Sequence, residues 1–121
     1  MVTFASLEAG RDSIAVVGLG YVGLPLAIHL SRHFKVVGYD LKQTRIDELQ
    51  AGRDRTLEVD AAVLQSSALQ FTADPAVLAS CRLIIVAVPT PIDGARVPDL
   101  GPLCSASQAV GEHMSAGSCI V

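Results

Sequence analysis

The sequence predicts a doubly wound α/β domain, a parallel sheet with helices on both faces. Three observations predict it. Strand-like and helix-like patterns alternate along the chain, the order produced by repeated strand–helix–strand units. The run Arg82 to Val88, R-L-I-I-V-A-V, is apolar after its first residue instead of alternating, as a strand buried on both faces should be. Half of the residues are hydrophobic but only 4% are aromatic, so Val, Leu, Ile and Ala must fill the interior. At 121 residues the chain is one domain at most, expected over residues 13–121.

Met1 to Asp12 has no clear period and reads as a loose lead-in to that domain. Ser13 to Val17 is the first strand. A helix is expected from Tyr21 to His33, with Pro25 in its first turn, where the missing N–H would have had no partner. Val22, Leu26 and Leu30, with Ala27, form its inward stripe. Lys35 to Tyr39 is the second strand. Lys42 to Ala51 is the second helix, with Ile46 and Leu49 facing inward and Gly52 as its stop. Arg53 to Glu58 is polar and aperiodic and reads as a loop. Asp60 is expected to cap a helix over Ala61 to Ser67. Leu69 to Phe71 is a short third strand, and Asp74-Pro75 starts a short helix to Ser80.

The fourth strand, Arg82 to Val88, is stopped by Pro89-Thr90-Pro91. A loop over Ile92 to Pro98 contains the turn pair Asp93-Gly94. Asp99 is placed to cap a helix from Leu100 to Met114, Gly117 closes it, and Ser118 to Val121 begins a fifth strand. Crossovers of one hand then give the strand order 3-2-1-4-5.

The stretch with chemistry in it is Ser13 to Gly23, S-I-A-V-V-G-L-G-Y-V-G. A β-branched strand runs into Gly18, Gly20 and Gly23, and a helix follows at once. That is the arrangement a dinucleotide needs. Gly18 permits the tight turn, Gly20 lets a diphosphate approach the backbone, and Gly23 lets the helix pack closely. The amides of the helix's first turn then face the phosphates. Asp40 ends the second strand roughly 20 residues past Gly18, where a carboxylate accepts the adenosine ribose hydroxyls. The competing reading is a glycine turn that binds nothing, with Asp40 merely opening the next helix.

A 2′-phosphate at ~4 Å from Asp40 would be repelled by roughly 1 to 4 kcal/mol, which is about ten-fold or more in affinity. NAD is therefore expected rather than NADP, although Lys42 and Arg45 follow and offset part of this. Arg45 is expected either against the adenosine end or as a solvated helix residue. Ligands of open parallel sheets lie beyond the carboxyl ends of the strands where the strand order reverses. Here that is between the first and fourth strands, so the glycine turn and Val88 to Pro91 should flank one crevice, with the Thr90 hydroxyl available to a ribose or phosphate.

The net charge of −3 leaves no footprint for nucleic acid or an anionic membrane. No apolar run reaches the ~20 residues of a membrane span, and the first twelve residues lack a signal pattern, so a cytoplasmic location is expected. Cys81, Cys104 and Cys119 have no metal-ligand spacing and are read as free thiols. His29 and His33, four apart, are read as exposed side chains near a helix C-terminus rather than a metal pair.

The segments G-L-G-Y-V-G-L-P-L-A, V-G-Y-D, V-P-T-P-I-D, P-D-L and V-G-x-x-M resemble the N-terminal, Rossmann-type NAD domain of the UDP-glucose and GDP-mannose dehydrogenases over about residues 13–121. G-R-D-R-T-L-E and V-P-T-P-I are most similar to the bacterial UDP-N-acetylhexosamine 6-dehydrogenases of polysaccharide synthesis. The resemblance implies oxidation of a sugar C6 alcohol to a carboxylate with two NAD, a cysteine holding the intermediate as a thioester. By position it implies cofactor contacts at Gly20, Tyr21, Val22, Asp40, Arg45 and Thr90, and it brings the loop with Glu58 toward the substrate; Gly18 and Gly23 of the glycine turn and Pro89 at the end of the fourth strand complete the expected cofactor site.

The family's E-S-T-x-x-P-G segment, its catalytic Glu, Lys, Asn and Cys, its central helix and its nucleotide-sugar domain are expected beyond Val121. No residue here is therefore assigned a catalytic role. The chain is expected to bind NAD without turning over a sugar, and the full-length protein is expected to be a homodimer through that helix. A 3-hydroxyacid dehydrogenase domain and a non-catalytic NAD-sensing domain are the alternatives, and neither requires a threonine between prolines.

Overall fold

The structure, a computed structural model, describes all residues from Met1 to Val121. Five parallel strands form one sheet in the order β3-β2-β1-β4-β5. They are β1 (Ile14–Val17), β2 (Val36–Tyr39), β3 (Gln70–Thr72), β4 (Leu83–Val86) and β5 (Cys119–Ile120). The helices are α1 (Phe4–Glu8), α2 (Gly23–Ser31), α3 (Gln43–Gln50), α4 (Ala61–Ser66) and α5 (Gly101–His113), with a 3₁₀ turn over Pro75–Ser80. The predicted strand order is the observed one, and each predicted strand and helix of the domain is present with no end moved by more than two residues.

β1 is the centre, with every residue buried. Its register pairs Ile14 with Val36 and Leu83, and Val17 with Tyr39 and Val86. Successive side chains point to opposite faces, so Ile14 and Val16 enter one core with Leu24, Ile28, Ile46 and Leu49 of α2 and α3. Ala15 and Val17 enter the other with Leu78 of the 3₁₀ turn and Ala106 and Val110 of α5. Because all strands are parallel, Val17, Tyr39 and Val86 finish along a single edge of the sheet.

Several expectations are corrected. Met1 to Asp12 is not loose. Thr3 and Ser6 form a capping box, with Ser6 N–H donating to Thr3 Oγ1 at 3.1 Å and Thr3 N–H to Ser6 Oγ at 3.0 Å. Leu7 is buried, and the ring of Phe4 meets Phe34 edge-on at 5.9 Å. A five-residue helix is too short to show a period, and its cap uses Ser where Glu or Gln is the usual signal. Asp60 stands at the N-cap of α4 but makes no capping bond. In β4 only Ile84 is fully buried. β5 covers just two residues of its edge.

Candidate dinucleotide site

Gly18 sits at φ +95°, and its N–H donates to Tyr39 O at 2.8 Å. A Cβ there would lie 2.9 Å from Val88 Cγ1, so the turn is pressed against the end of β4. A Cβ on Gly23 would collide with the Gly18 carbonyl oxygen. α2 therefore begins directly on the turn, a closer approach than helix-to-sheet packing alone requires. A Cβ on Gly20 would meet nothing within 4 Å, so that glycine faces open space. The amides of Gly20, Tyr21, Val22 and Gly23 have no hydrogen-bond partner within the protein. Val22, at the N-cap of α2, supplies no side-chain cap. This is the unsatisfied helix N-terminus that binds anions.

The Asp40 carboxylate crosses to the turn. Its Oδ2 accepts Leu19 N–H at 2.9 Å and its Oδ1 accepts Lys42 N–H at 3.0 Å. A carboxylate has about four lone-pair positions, so both oxygens retain acceptor capacity for a ribose. Arg45, the second possibility for which was a solvated helix arginine, is instead buried. Its Nε donates to Leu19 O at 2.8 Å, Nη1 to Glu48 Oε1 at 2.6 Å and Nη2 to Asp54 Oδ1 at 2.9 Å. Glu48 also accepts from Arg55 N and Nε at 3.0 and 2.7 Å. The Arg55 amide, helped by the Arg55 and Arg45 guanidiniums, outweighs desolvation and lowers the Glu48 pKa to about 2. Burial alone would raise the Asp54 carboxyl, but hydrogen bonds from Thr56, Arg45 and Val59 bring it below its ordinary value.

A crevice of about 460 Å³ opens beyond the carboxyl ends of β1, β2 and β4. Gly18, Gly20, Asp40, Arg45 and Pro89 are in its wall. Gly23 lies beneath the turn, and Tyr21 and Val22 stand out beside it, 65% and 55% exposed. Thr90 is exposed and lies outside the lining, one residue beyond Pro89. Glu58 is also exposed and outside it; only its amide takes part, donating to Asp54 Oδ2 at 3.0 Å. A larger groove of about 860 Å³ wraps the β3 edge but touches neither the glycine turn nor Asp40. It is a furrow along an open sheet edge.

Sequence reasoning missed Thr44, Arg55, Thr56 and Ser105 in the crevice wall, and the half-buried Glu48 and buried Asp54 behind it. Lys42 and Thr44 were findable from their place just after Asp40. Asp54-Arg55-Thr56 carries a local signal, since an aspartate commonly accepts the N–H two residues on, as Asp54 does from Thr56 at 3.0 Å. Ser105 reaches the crevice only through the crossover into α5 and left no local signal. Among the described residues no cluster of His, Cys, Asp and Glu fit for a metal is present, and no helix is long and apolar enough to cross a membrane.

Comparison with known proteins agrees with this geometry. Residues 12–121 match the UDP-glucose/GDP-mannose dehydrogenase family, NAD binding domain. The chain is 50% identical over 109 residues to a UDP-N-acetyl-D-glucosamine 6-dehydrogenase of Pseudomonas aeruginosa, covering 89% of this chain and 26% of that one. To the enzyme of the same description from Salmonella typhi it is 42% identical, covering 89% of this chain and 26% of that one. Among solved structures, a UDP-D-ManNAc dehydrogenase from Pyrococcus horikoshii superposes with a TM-score of 0.77 at 35% identity, over 89% of this chain and 27% of that one. A 3-hydroxyacyl-CoA dehydrogenase from Archaeoglobus fulgidus, 19% identical over 90% of this chain and 33% of that one, shares the fold with a TM-score of 0.61. That likeness speaks for the fold alone. The chain spans about a quarter of the length of the curated relatives it matches. By its glycine turn, its Asp40 and these matches, the chain belongs to the UDP-glucose/GDP-mannose dehydrogenase family and carries that family's NAD binding domain.

Proposed function

We propose that the crevice takes NAD with its diphosphate against the amides of Gly20 to Gly23 and its adenosine ribose on Asp40. The observation that carries this reading is the meeting of those unpartnered amides with an acceptor carboxylate at one crevice mouth. The residues present fit the cofactor: an open backbone at Gly20, a helix N-terminus for the phosphates and a carboxylate for the hydroxyls. Arg45, Pro89 and Tyr21 stand around the same turn, and Thr90 is within one residue of the crevice wall. Its hydroxyl and the Glu58 carboxylate are assigned to the bound state, Thr90 toward the cofactor and Glu58 toward the substrate loop.

Within the whole protein, this domain serves the oxidation of a UDP-linked N-acetylhexosamine at C6, supported by the relatives of that description. Bound NAD supplies the hydride acceptor, and two are consumed between a primary alcohol and a carboxylate. The 121 residues contribute binding and orientation. The Asp40 charge disfavours a 2′-phosphate; the pairing of Arg45 with Glu48 and Asp54 occupies that cation, and Lys42 beside Asp40 offsets the repulsion in part. The reaction belongs in the cytoplasm, where both NAD and UDP-sugars are made, and the whole protein is a homodimer.

Fluorescence and calorimetric titration of the chain test the reading. NADH should bind saturably, NADPH about ten-fold or more weakly, and Asp40→Ala should lose most of the NADH affinity. A folded chain that takes up no NADH, or an Asp40→Ala variant with unchanged affinity, defeats it. Mixed with NAD and a UDP-N-acetylhexosamine, the chain should form no NADH.

A further inference from the structure

We infer that Asp54 is a positioning residue for the dinucleotide diphosphate, acting through Arg45 on the peptide groups of Leu19. The inference rests on the NAD-binding reading above and adds to it a residue that touches no ligand.

Leu19 is the residue between the first two glycines, and both of its peptide groups are tied down by side chains from elsewhere in the chain. Its N–H donates to Asp40 Oδ2 at 2.9 Å and its C=O accepts from Arg45 Nε at 2.8 Å. Its side chain is 0% exposed and packs against Gly38, where a Cβ would lie 3.0 Å from Leu19 Cδ2. A turn with glycine on either side has wide conformational freedom. Ordering it when a ligand arrives would cost affinity, and a turn held beforehand avoids that cost.

Arg45 can hold the turn only if it is itself held. Its side chain is 9% exposed and lies between Glu48 and Asp54. The Asp54 side chain is 0% exposed and accepts five hydrogen bonds, from Arg45 Nη2, Thr56 N, Thr56 Oγ1, Glu58 N and Val59 N. One carboxylate therefore fixes the 54–59 loop and the arginine together. Arg45 carries that fixed position to the turn, 26 residues away in sequence.

The rival account is that this cluster merely stabilises the loop. Arg45→Lys separates the two accounts. Lysine places a methylene where Nε stands and an ammonium near the guanidinium carbon. The charge stays beside Glu48 and Asp54, while the bond to Leu19 O is lost. The expected result is an unchanged circular dichroism spectrum, faster amide exchange at Leu19 and Gly20, and NADH and ADP-ribose affinity reduced about five- to ten-fold. Adenosine, which lacks the diphosphate, should bind Arg45→Lys as it binds the wild-type chain, measured by ligand-observed NMR.

Asp54→Asn should give the same pattern, and a folded Asp54→Asn chain with unchanged NADH and ADP-ribose affinity overturns the inference; if that variant does not fold, Asp54→Glu, which keeps the charge but displaces the carboxylate from Arg45 Nη2, is measured in its place. Unchanged affinity of Arg45→Lys for NADH and ADP-ribose overturns the inference while leaving the NAD reading intact. An equal loss for adenosine and ADP-ribose also overturns it, because Arg45 would then be touching the nucleoside. A wild-type chain that binds no NADH removes the reading and the inference together.

Discussion

The wall of the crevice on the β2 side is held by buried ions that bridge distant segments, whereas the wall on the β4 side is held by bonds that stay within one loop. On the first side, Arg45, Glu48 and Asp54 tie the 54–59 loop to α3 and to the glycine turn. On the second, every residue from Pro89 to Gly101 is exposed. Its bonds are local: Asp93 Oδ1 accepts Ala95 and Val97 N–H at 2.8 and 2.9 Å, and Asp99 N–H donates to Pro91 O at 2.6 Å. The first wall is preorganised, and order there is part of the global fold. The second can open without disturbing the core, which is the kind of segment that rearranges around a ligand.

The largest test of this contrast is Asp54→Ala. It leaves Arg45 with one carboxylate partner and strands the amides of Thr56, Glu58 and Val59. Removing one member of a buried pair costs about 3–5 kcal/mol, so denaturant unfolding should show a loss of that size. A loss below about 1 kcal/mol would mean that the β2 wall is no firmer than the β4 wall. Gly23→Ala should come next, at about 1–3 kcal/mol for an overpacked site. NADH binding should be lost with it, because the Gly18 carbonyl must move. Equal stability of Gly23→Ala and the wild-type chain would show that the turn has slack.

Acid sharpens the comparison further. The folded Glu48 pKa is lowered from 4.5 to about 2. A depressed carboxyl contributes stability that is present above its unfolded value and lost as the pH falls through its folded one. The chain should therefore lose stability between about pH 5 and pH 2, with Asp54 adding in the same direction. Glu48→Gln should flatten that loss, measured as the unfolding midpoint against pH.

Much of this fold could be read from the sequence because its signals are local. Ile14 to Val17, the glycines and Asp40 each announce an element or a turn within a few residues. The strand order followed from handedness rather than from any pairwise contact. What could not be read was whatever depends on meeting across the chain. Arg45 stayed open between the adenosine end and a solvated helix face because the partners that bury it include a loop with no period, and α1 is too short for periodicity to register. Thr90 came from its place after the fourth strand as well as from the family pattern, Glu58 from the family pattern alone, and in this structure both lie outside the crevice wall.

The smallest expected effect is at Thr90. If the β4 wall takes its final shape only around the cofactor, Thr90 contributes nothing to the stability of the free chain and one hydrogen bond to the complex. Thr90→Ala should then leave thermal unfolding unchanged in the absence of nucleotide, as exposed substitutions do. NADH affinity should fall by about 1 kcal/mol, the net worth of one hydrogen bond, which is several-fold. The stabilisation that saturating NADH gives to the melting temperature should shrink by the same free energy, since a ligand stabilises by its affinity for the native state. A variant that melts early without nucleotide would show the opposite, that the 89–101 segment is already part of the cooperative fold, and the contrast between the two walls would disappear.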